Sequence, residues 1–191
     1  MKTILFDVDG VLADFVYAFT RECGIEPYST PLLQVWDFGD TISKSVQSKA
    51  WEKIIKTPMW WADYVPTLAS LQEFGRIDDL TLDNQVVFCT NRTGTPSPQR
   101  QTEAWLIMQG NILNPHVIVS KRKGDVAKAI DADYAIDDTA ENAACVHWIA
   151  DSKPCKSYIL DRPYNRTKFL PTKVRRVFSV AEFLEDVKTG V

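Results

Sequence analysis

Six short segments rich in β-branched and aromatic residues recur along this chain, at Thr3 to Val8, Gln85 to Thr90, His116 to Ser120, Tyr134 to Ile136, Lys156 to Leu160 and Val174 to Ser179. Apolar runs of this length, bounded by turn signals, predict strands buried on both faces. Helical patterns at Pro98 to Gln109, Asp125 to Ile130, Glu141 to Ile149 and Ala181 to Val187 alternate with them. Such alternation predicts an α/β fold: a Rossmann-like parallel sheet with right-handed crossovers. Asp125 and Thr139 are the expected N-caps of two of these helices.

The interval between the first two strands is too long for one crossover helix, and its composition changes. Residues 16 to 64 hold four of the six tryptophans, together with Tyr17, Phe19, Tyr28, Phe38 and Tyr64. This predicts a small, mostly helical cap inserted after the first strand, with residues 1–15 and 65–191 as the core. Leu68 to Phe74 is expected to return to the core as a helix. A chain of 191 residues has room for one such domain plus its insertion.

The formal net charge of −3 argues against a general attraction to nucleic acid or anionic lipid. No stretch approaches the ~20 apolar residues of a membrane span, and Asp7 interrupts the N-terminal apolar run, so neither a membrane anchor nor a secretory leader is expected. Cys23, Cys89, Cys145 and Cys155 are scattered, without C-x-x-C spacing. A cytoplasmic protein with reduced thiols is the expectation.

Four strand ends carry chemistry-bearing residues. Asp7 and Asp9 follow the first, Thr90-Asn91-Arg92 the second, Ser120-Lys121-Arg122-Lys123 the third and Asp137-Asp138 the fourth. Open α/β sheets bind ligands at the carboxyl ends of their strands, so these sets are expected to converge on one edge. Carboxylates beside a lysine and a hydroxyl suit Mg²⁺ and phosphate, because hard oxygen ligands favour that ion and phosphate oxygens complete its shell.

The Asp7-Val-Asp-Gly-Val run, a strand ending in Thr90, a lysine at a helix start and the Asp137-Asp138 pair resemble, in order and placement, the four motifs of haloacid dehalogenase (HAD) superfamily phosphatases. Residues Asp7 to Phe15, Ile136 to Asp138 and Trp51-Glu52 with its aromatic neighbours look most like the 5′(3′)-deoxyribonucleotidases. The resemblance implies an HAD-like core. It further implies an Mg²⁺-dependent phosphomonoesterase that hydrolyses (deoxy)nucleoside monophosphates through an aspartyl-phosphate. Carried over, it makes Asp7 the nucleophile and Asp9 the general acid and base. The metal would be held by Asp7, the Asp9 carbonyl and Asp138, with Asp137 behind them. Thr90 and Asn91 would bind phosphate oxygens, and Lys123 would stabilise the transferring group. Lys123 is preferred to Lys121 because Gly124-Asp125 opens the next helix. Asn91 departs from the serine usual in the subfamily, and the Lys123-to-Asp138 spacing is longer than in the animal enzymes.

Phe15 matches the position where that family packs a base, and Trp36, Phe38, Trp60 and Trp61 are candidates to complete a stacking pocket. Tyr17, Phe19, Trp51 and Tyr64 are expected to serve the cap's own core. The expected partner is a small nucleotide, with no membrane and no stable nucleic-acid partner; a homodimer is left open. The alternatives are a phosphatase of the same superfamily acting on another small phosphate ester or a nucleic-acid 3′-phosphate end, and a catalytically silent nucleotide-binding member.

Overall fold

The computed structural model describes residues 1–26, 38, 41–92, 94–149 and 155–190. Six strands, β1 (Thr3–Asp7), β2 (Gln85–Thr90), β3 (His116–Val119), β4 (Tyr134–Asp137), β5 (Lys156–Leu160) and β6 (Arg175–Val177), form one sheet of order β3-β2-β1-β4-β5-β6. Every pairing is parallel. This is the classic doubly wound order, in which connections leave β1 and β4 in opposite directions and open a crevice between their carboxyl ends.

Side chains alternate across the strands and divide the core into two layers. Ile4, Phe6, Val86, Phe88 and Ile136 face the layer of α4 (Leu71–Thr81), α5 (Pro98–Gly110) and α8 (Val180–Thr189), which contribute Phe74, Trp105 and Phe183. Phe183 meets Phe6 edge-on, with ring centroids 5.3 Å apart. Leu5, Val87, Cys89 and Ala135 face α6 (Lys123–Ala129) and α7 (Ala140–Ile149) through Ala127 and Val146. Small alanines there allow close approach of both helices to the sheet.

Between β1 and β2 lie α1 (Phe15–Glu22), α2 (Lys44–Lys56) and α3 (Trp60–Tyr64). The ends of this excursion are stitched together: Asp14 N donates to Pro66 O at 2.8 Å and Leu68 N to Leu12 O at 2.7 Å. From the other side α3 is tied to α5, where Trp105 Nε1 donates to Val65 O at 2.7 Å and Trp61 N to Gln101 Oε1 at 3.0 Å. Phe15, Phe19, Phe38, Trp60 and Trp61 share one continuous hydrophobic cluster with the sheet.

Several local expectations need correction. The returning helix begins at Leu71 rather than Leu68, because Ser70 closes a capping box with Glu73. Helix α6 begins at Lys123, so Asp125 lies in its first turn and pairs with Arg122 instead of capping. Thr139 does stand at the N-cap of α7, its carbonyl accepting from Ala143 N at 3.1 Å, while its hydroxyl donates to Asp137 Oδ1 at 2.9 Å. Arg176 bonds Asp161 and Asn165 at 2.9 and 2.5 Å, because the short β6 brings it against the segment after β5. Among the described residues no helix is long and apolar enough to cross a membrane.

Candidate active site

Asp7 ends β1 and Asp137 ends β4, the two strands that flank the crevice. Asp7, Asp137 and Asp138 are all buried, with carboxylate oxygens within 4.8 Å of one another. Lys123, the first residue of α6, reaches between them, with Nζ 2.6 Å from Asp7 Oδ2 and 2.7 Å from Asp137 Oδ2. Lys121 is exposed. One turn of helix start therefore separates a lysine in the site from a lysine in solvent.

The electrostatics follow from burial. Desolvation, with Asp137 and Asp138 close by, raises the Asp7 carboxyl well above its ordinary value, although Lys123 opposes the shift. Burial and the Asp137 charge push Asp138 up to about 7. Burial alone would lower the Lys123 ammonium, but Asp137 and Asp7 outweigh it and raise it, so the lysine stays charged.

These residues fit a divalent cation. Asp137 is fully engaged: Oδ1 accepts from Thr139 N, Thr139 Oγ1 and Asn142 Nδ2, and Oδ2 from Lys123. Asp138 differs, because its Oδ1 is buried and has no hydrogen-bond partner among the described residues. A buried carboxylate oxygen without a donor is costly, and a hard cation removes that cost. Asp138 Oδ2 accepts from the Tyr164 hydroxyl, and Arg162 Nε donates to Gly10 O at 2.7 Å. Tyr164 and Arg162, which the sequence reading did not single out, thus brace the Asp138 carboxylate and the turn beneath it. Gly10 has φ +83°, and a Cβ there would overlap the Asp138 carboxylate. Only glycine satisfies both demands.

Asp9 is held apart from this trio. Arg92 forms a bidentate pair with it, Nε to Oδ2 at 2.9 Å and Nη2 to Oδ1 at 2.8 Å, and Thr90 Oγ1 donates to Oδ2 at 2.9 Å. Thr90, expected on phosphate, is fully buried and has its hydroxyl hydrogen committed to Asp9. The Asp9 carboxylate is thus engaged away from the Asp7, Asp137 and Asp138 group. Arg92, counted among the strand-end residues but given no role of its own there, has nothing in its local sequence to mark it as buried.

Beside the carboxylates opens a cavity of about 320 Å³ lined by Asp7, Asp9, Asn91, Lys123 and Asp138, and also by Phe15, Phe19, Phe38, Trp51 and Trp61. Phe15 stacks on Trp61 and Trp51 with centroids 5.2 and 5.8 Å apart, and Phe19 stacks on Phe38 at 5.0 Å. Trp36 lies outside the described residues. Phe19 and Trp51, expected to serve only the cap's interior, line the cavity. Trp60, a pocket candidate, is buried with its indole N–H donating to Glu22. Trp51 is 36% exposed while Phe15 and Trp61 are 8% and 3%, so it offers the most open aromatic face.

No family model matches the chain, and no curated protein matches it in sequence. Solved structures do match along its length. One is the D,D-heptose 1,7-bisphosphate phosphatase of B. bronchiseptica complexed with magnesium and phosphate, 15% identical with a TM-score of 0.58 over 100% of both chains. CbbY from Rhodobacter sphaeroides, in complex with phosphate, is 14% identical with a TM-score of 0.58 over 96% of each chain. A HAD-superfamily hydrolase of subfamily IA from Geobacter sulfurreducens is 13% identical with a TM-score of 0.50, over 97% of this chain and 95% of that one. The fold is HAD-like. Identities this low establish architecture, and the chemistry must be argued from the residues.

Proposed function

We propose that this chain is a phosphomonoesterase that hydrolyses nucleoside monophosphates, with deoxyribonucleotides preferred, through a phosphorylated Asp7. The observation that carries the reading is a single cavity lined both by Asp7 and Lys123 and by a group of stacked aromatics. Its volume of about 320 Å³ lies at the small end of ligand pockets. A phosphate beside Asp7 and Lys123 and a flat base against the aromatics fit that division.

In this scheme a carboxylate oxygen of Asp7 attacks phosphorus as the bond to the ester oxygen breaks, and Asp9 gives its proton to the departing alcohol. Water then attacks the phosphorus of the acyl phosphate, its proton passes to Asp9, and Asp7 is released with inorganic phosphate. Splitting one displacement into two lowers each barrier. Lys123 neutralises charge on the transferring group, and Asn91 faces the same space. Asp7, Asp138 and the Asp9 carbonyl would hold Mg²⁺, which lets an anionic nucleophile approach an anionic phosphate. The aromatic wall supplies stacking that tolerates any base, worth roughly 1–3 kcal/mol.

The test is phosphate release from ribo- and deoxynucleoside 5′- and 3′-monophosphates, sugar phosphates and 3′-phosphorylated DNA, with Mg²⁺ and with chelator. Turnover of nucleotides only with Mg²⁺ is expected. Release confined to sugar phosphates or DNA ends would replace the substrate assignment. Asp7→Asn should reduce turnover by roughly 10³-fold or more, and full activity in that variant would remove the covalent route.

A further inference from the structure

Arg92 is among the largest fully buried side chains of the protein, and a buried arginine demands an explanation. Its partners supply one. Nε and Nη2 grip the two oxygens of Asp9, Nη1 donates to Thr102 Oγ1 of α5 at 3.1 Å, and the guanidinium lies 4.4 Å from the centre of the Trp61 ring. Trp61 is itself anchored, its indole N–H donating to Thr95 Oγ1 at 3.2 Å. The fork is therefore fixed on every side before any ligand arrives.

A carboxylate offers about four lone-pair sites. Among the described residues, Arg92 Nε and Thr90 Oγ1 take two on Oδ2, and Arg92 Nη2 takes one on Oδ1. The remaining site is on Oδ1, and Asp9 borders the cavity. Arg92 does not line the cavity and its side chain is wholly buried, so it does not touch substrate.

We infer that Arg92 is a positioning residue that aims the Oδ1 lone pair of Asp9 at the leaving-group oxygen and stabilises the carboxylate left behind once its proton has moved. The inference rests on the phosphatase reading above. In the first half-reaction the P–O ester bond breaks as the Asp7–P bond forms, and the proton on Asp9 Oδ1 passes to the departing oxygen. Arg92 then faces a full negative charge that it did not face in the ground state. An interaction that strengthens on the way to the transition state raises kcat rather than lowering KM.

The test compares two leaving groups in wild type, Arg92→Met and Arg92→Lys: an alkyl phosphate, the best nucleotide or other ester of the screen, and p-nitrophenyl phosphate, whose phenolate departs without a proton. For Arg92→Met, kcat on the alkyl ester should fall by roughly 10²-fold or more, the usual worth of general acid catalysis, with KM little changed. Rapid mixing with p-nitrophenyl phosphate should still give a burst of about one p-nitrophenolate per enzyme, because only the later hydrolysis needs Asp9 as base. Arg92→Lys, which keeps the charge without the fork, should recover part of the loss on the alkyl ester. Equal losses in the rate of the first half-reaction on both esters in Arg92→Lys, read by single-turnover rapid mixing in a variant that retains the buried charge, would reduce Arg92 to a structural role and overturn the inference. So would an alkyl-ester kcat for folded Arg92→Met within about threefold of wild type. If wild type cleaves p-nitrophenyl phosphate and an alkyl ester but no nucleotide, the nucleotide assignment fails while this comparison still decides the role of Arg92. Wild type silent on every ester sinks both.

Discussion

At the scale of single residues, the site depends on groups with almost no freedom of replacement. Gly10 turns the chain after β1 with φ +83° and lies directly under the Asp138 carboxylate and the Tyr164 hydroxyl. Gly10→Ala places a Cβ against both and forces a left-handed conformation that costs an L-residue about 1–2 kcal/mol. Chemical denaturation should show a loss of at least that size. Turnover should fall further than stability explains, because the displaced carboxylate is the one whose Oδ1 has no hydrogen-bond partner among the described residues. A variant with wild-type stability and rate would show that Gly10 is merely tolerated there.

At the scale of elements, the cap contributes by facing one helix towards the sheet edge. Helix α2 has few buried residues, Ala50 and Ile54 among them, and it presents Trp51 to the cavity beside Phe15 and Phe19. Trp51 is 36% exposed but packs on the buried rings of Phe15 and Phe19, so removing it also uncovers part of the core. If the aromatic wall stacks a base, Trp51→Ala should raise KM for a nucleotide by about tenfold, equivalent to about 1.4 kcal/mol of stacking. The kcat should change little, while the melting temperature should fall, because Phe15 and Phe19 lose a packed neighbour. An unchanged KM in the steady state would mean that the base, if there is one, rests elsewhere. Helix α1 plays the opposite part, since its Phe15, Val16, Ala18 and Phe19 are all buried and join the cap to the core.

At the scale of the whole molecule, the carboxylate trio links metal, proton and stability. Asp138 is pushed up to about 7, so between its ordinary value of 3.8 and about 7 the folded protein keeps a proton that the unfolded chain has released. Stability of the metal-free protein therefore falls as pH rises through that window, and Asp7, raised by the same burial, adds to the fall. A cation at Asp7 and Asp138 takes the place of that proton. Mg²⁺ should then raise the melting temperature more at about pH 8 than at about pH 5.5, and equal shifts in calorimetry would argue against a metal on these two carboxylates. The order β3-β2-β1-β4-β5-β6 puts those carboxylates where two strands part, and of this only their place at the strands' carboxyl ends on one sheet edge was legible in the linear chain. Apolar runs ending in Asp7, Thr90 and Asp137 mark strands and their carboxyl ends, because burial on both faces of a parallel sheet is written locally in side-chain polarity. What those ends do to one another was not legible. Arg92 and Asp9 lie 83 positions apart, and nothing near either residue says that they pair or that Thr90 joins them. Nor does composition say that Trp51 faces the cavity while Trp60 is buried, or that α6 begins at Lys123 and turns that lysine inward. The sequence by itself determined the strands, their order of chemistry and the presence of an aromatic insertion. Only the tertiary structure decided which charges meet, because desolvation and pairing are properties of the space between segments and not of any segment alone.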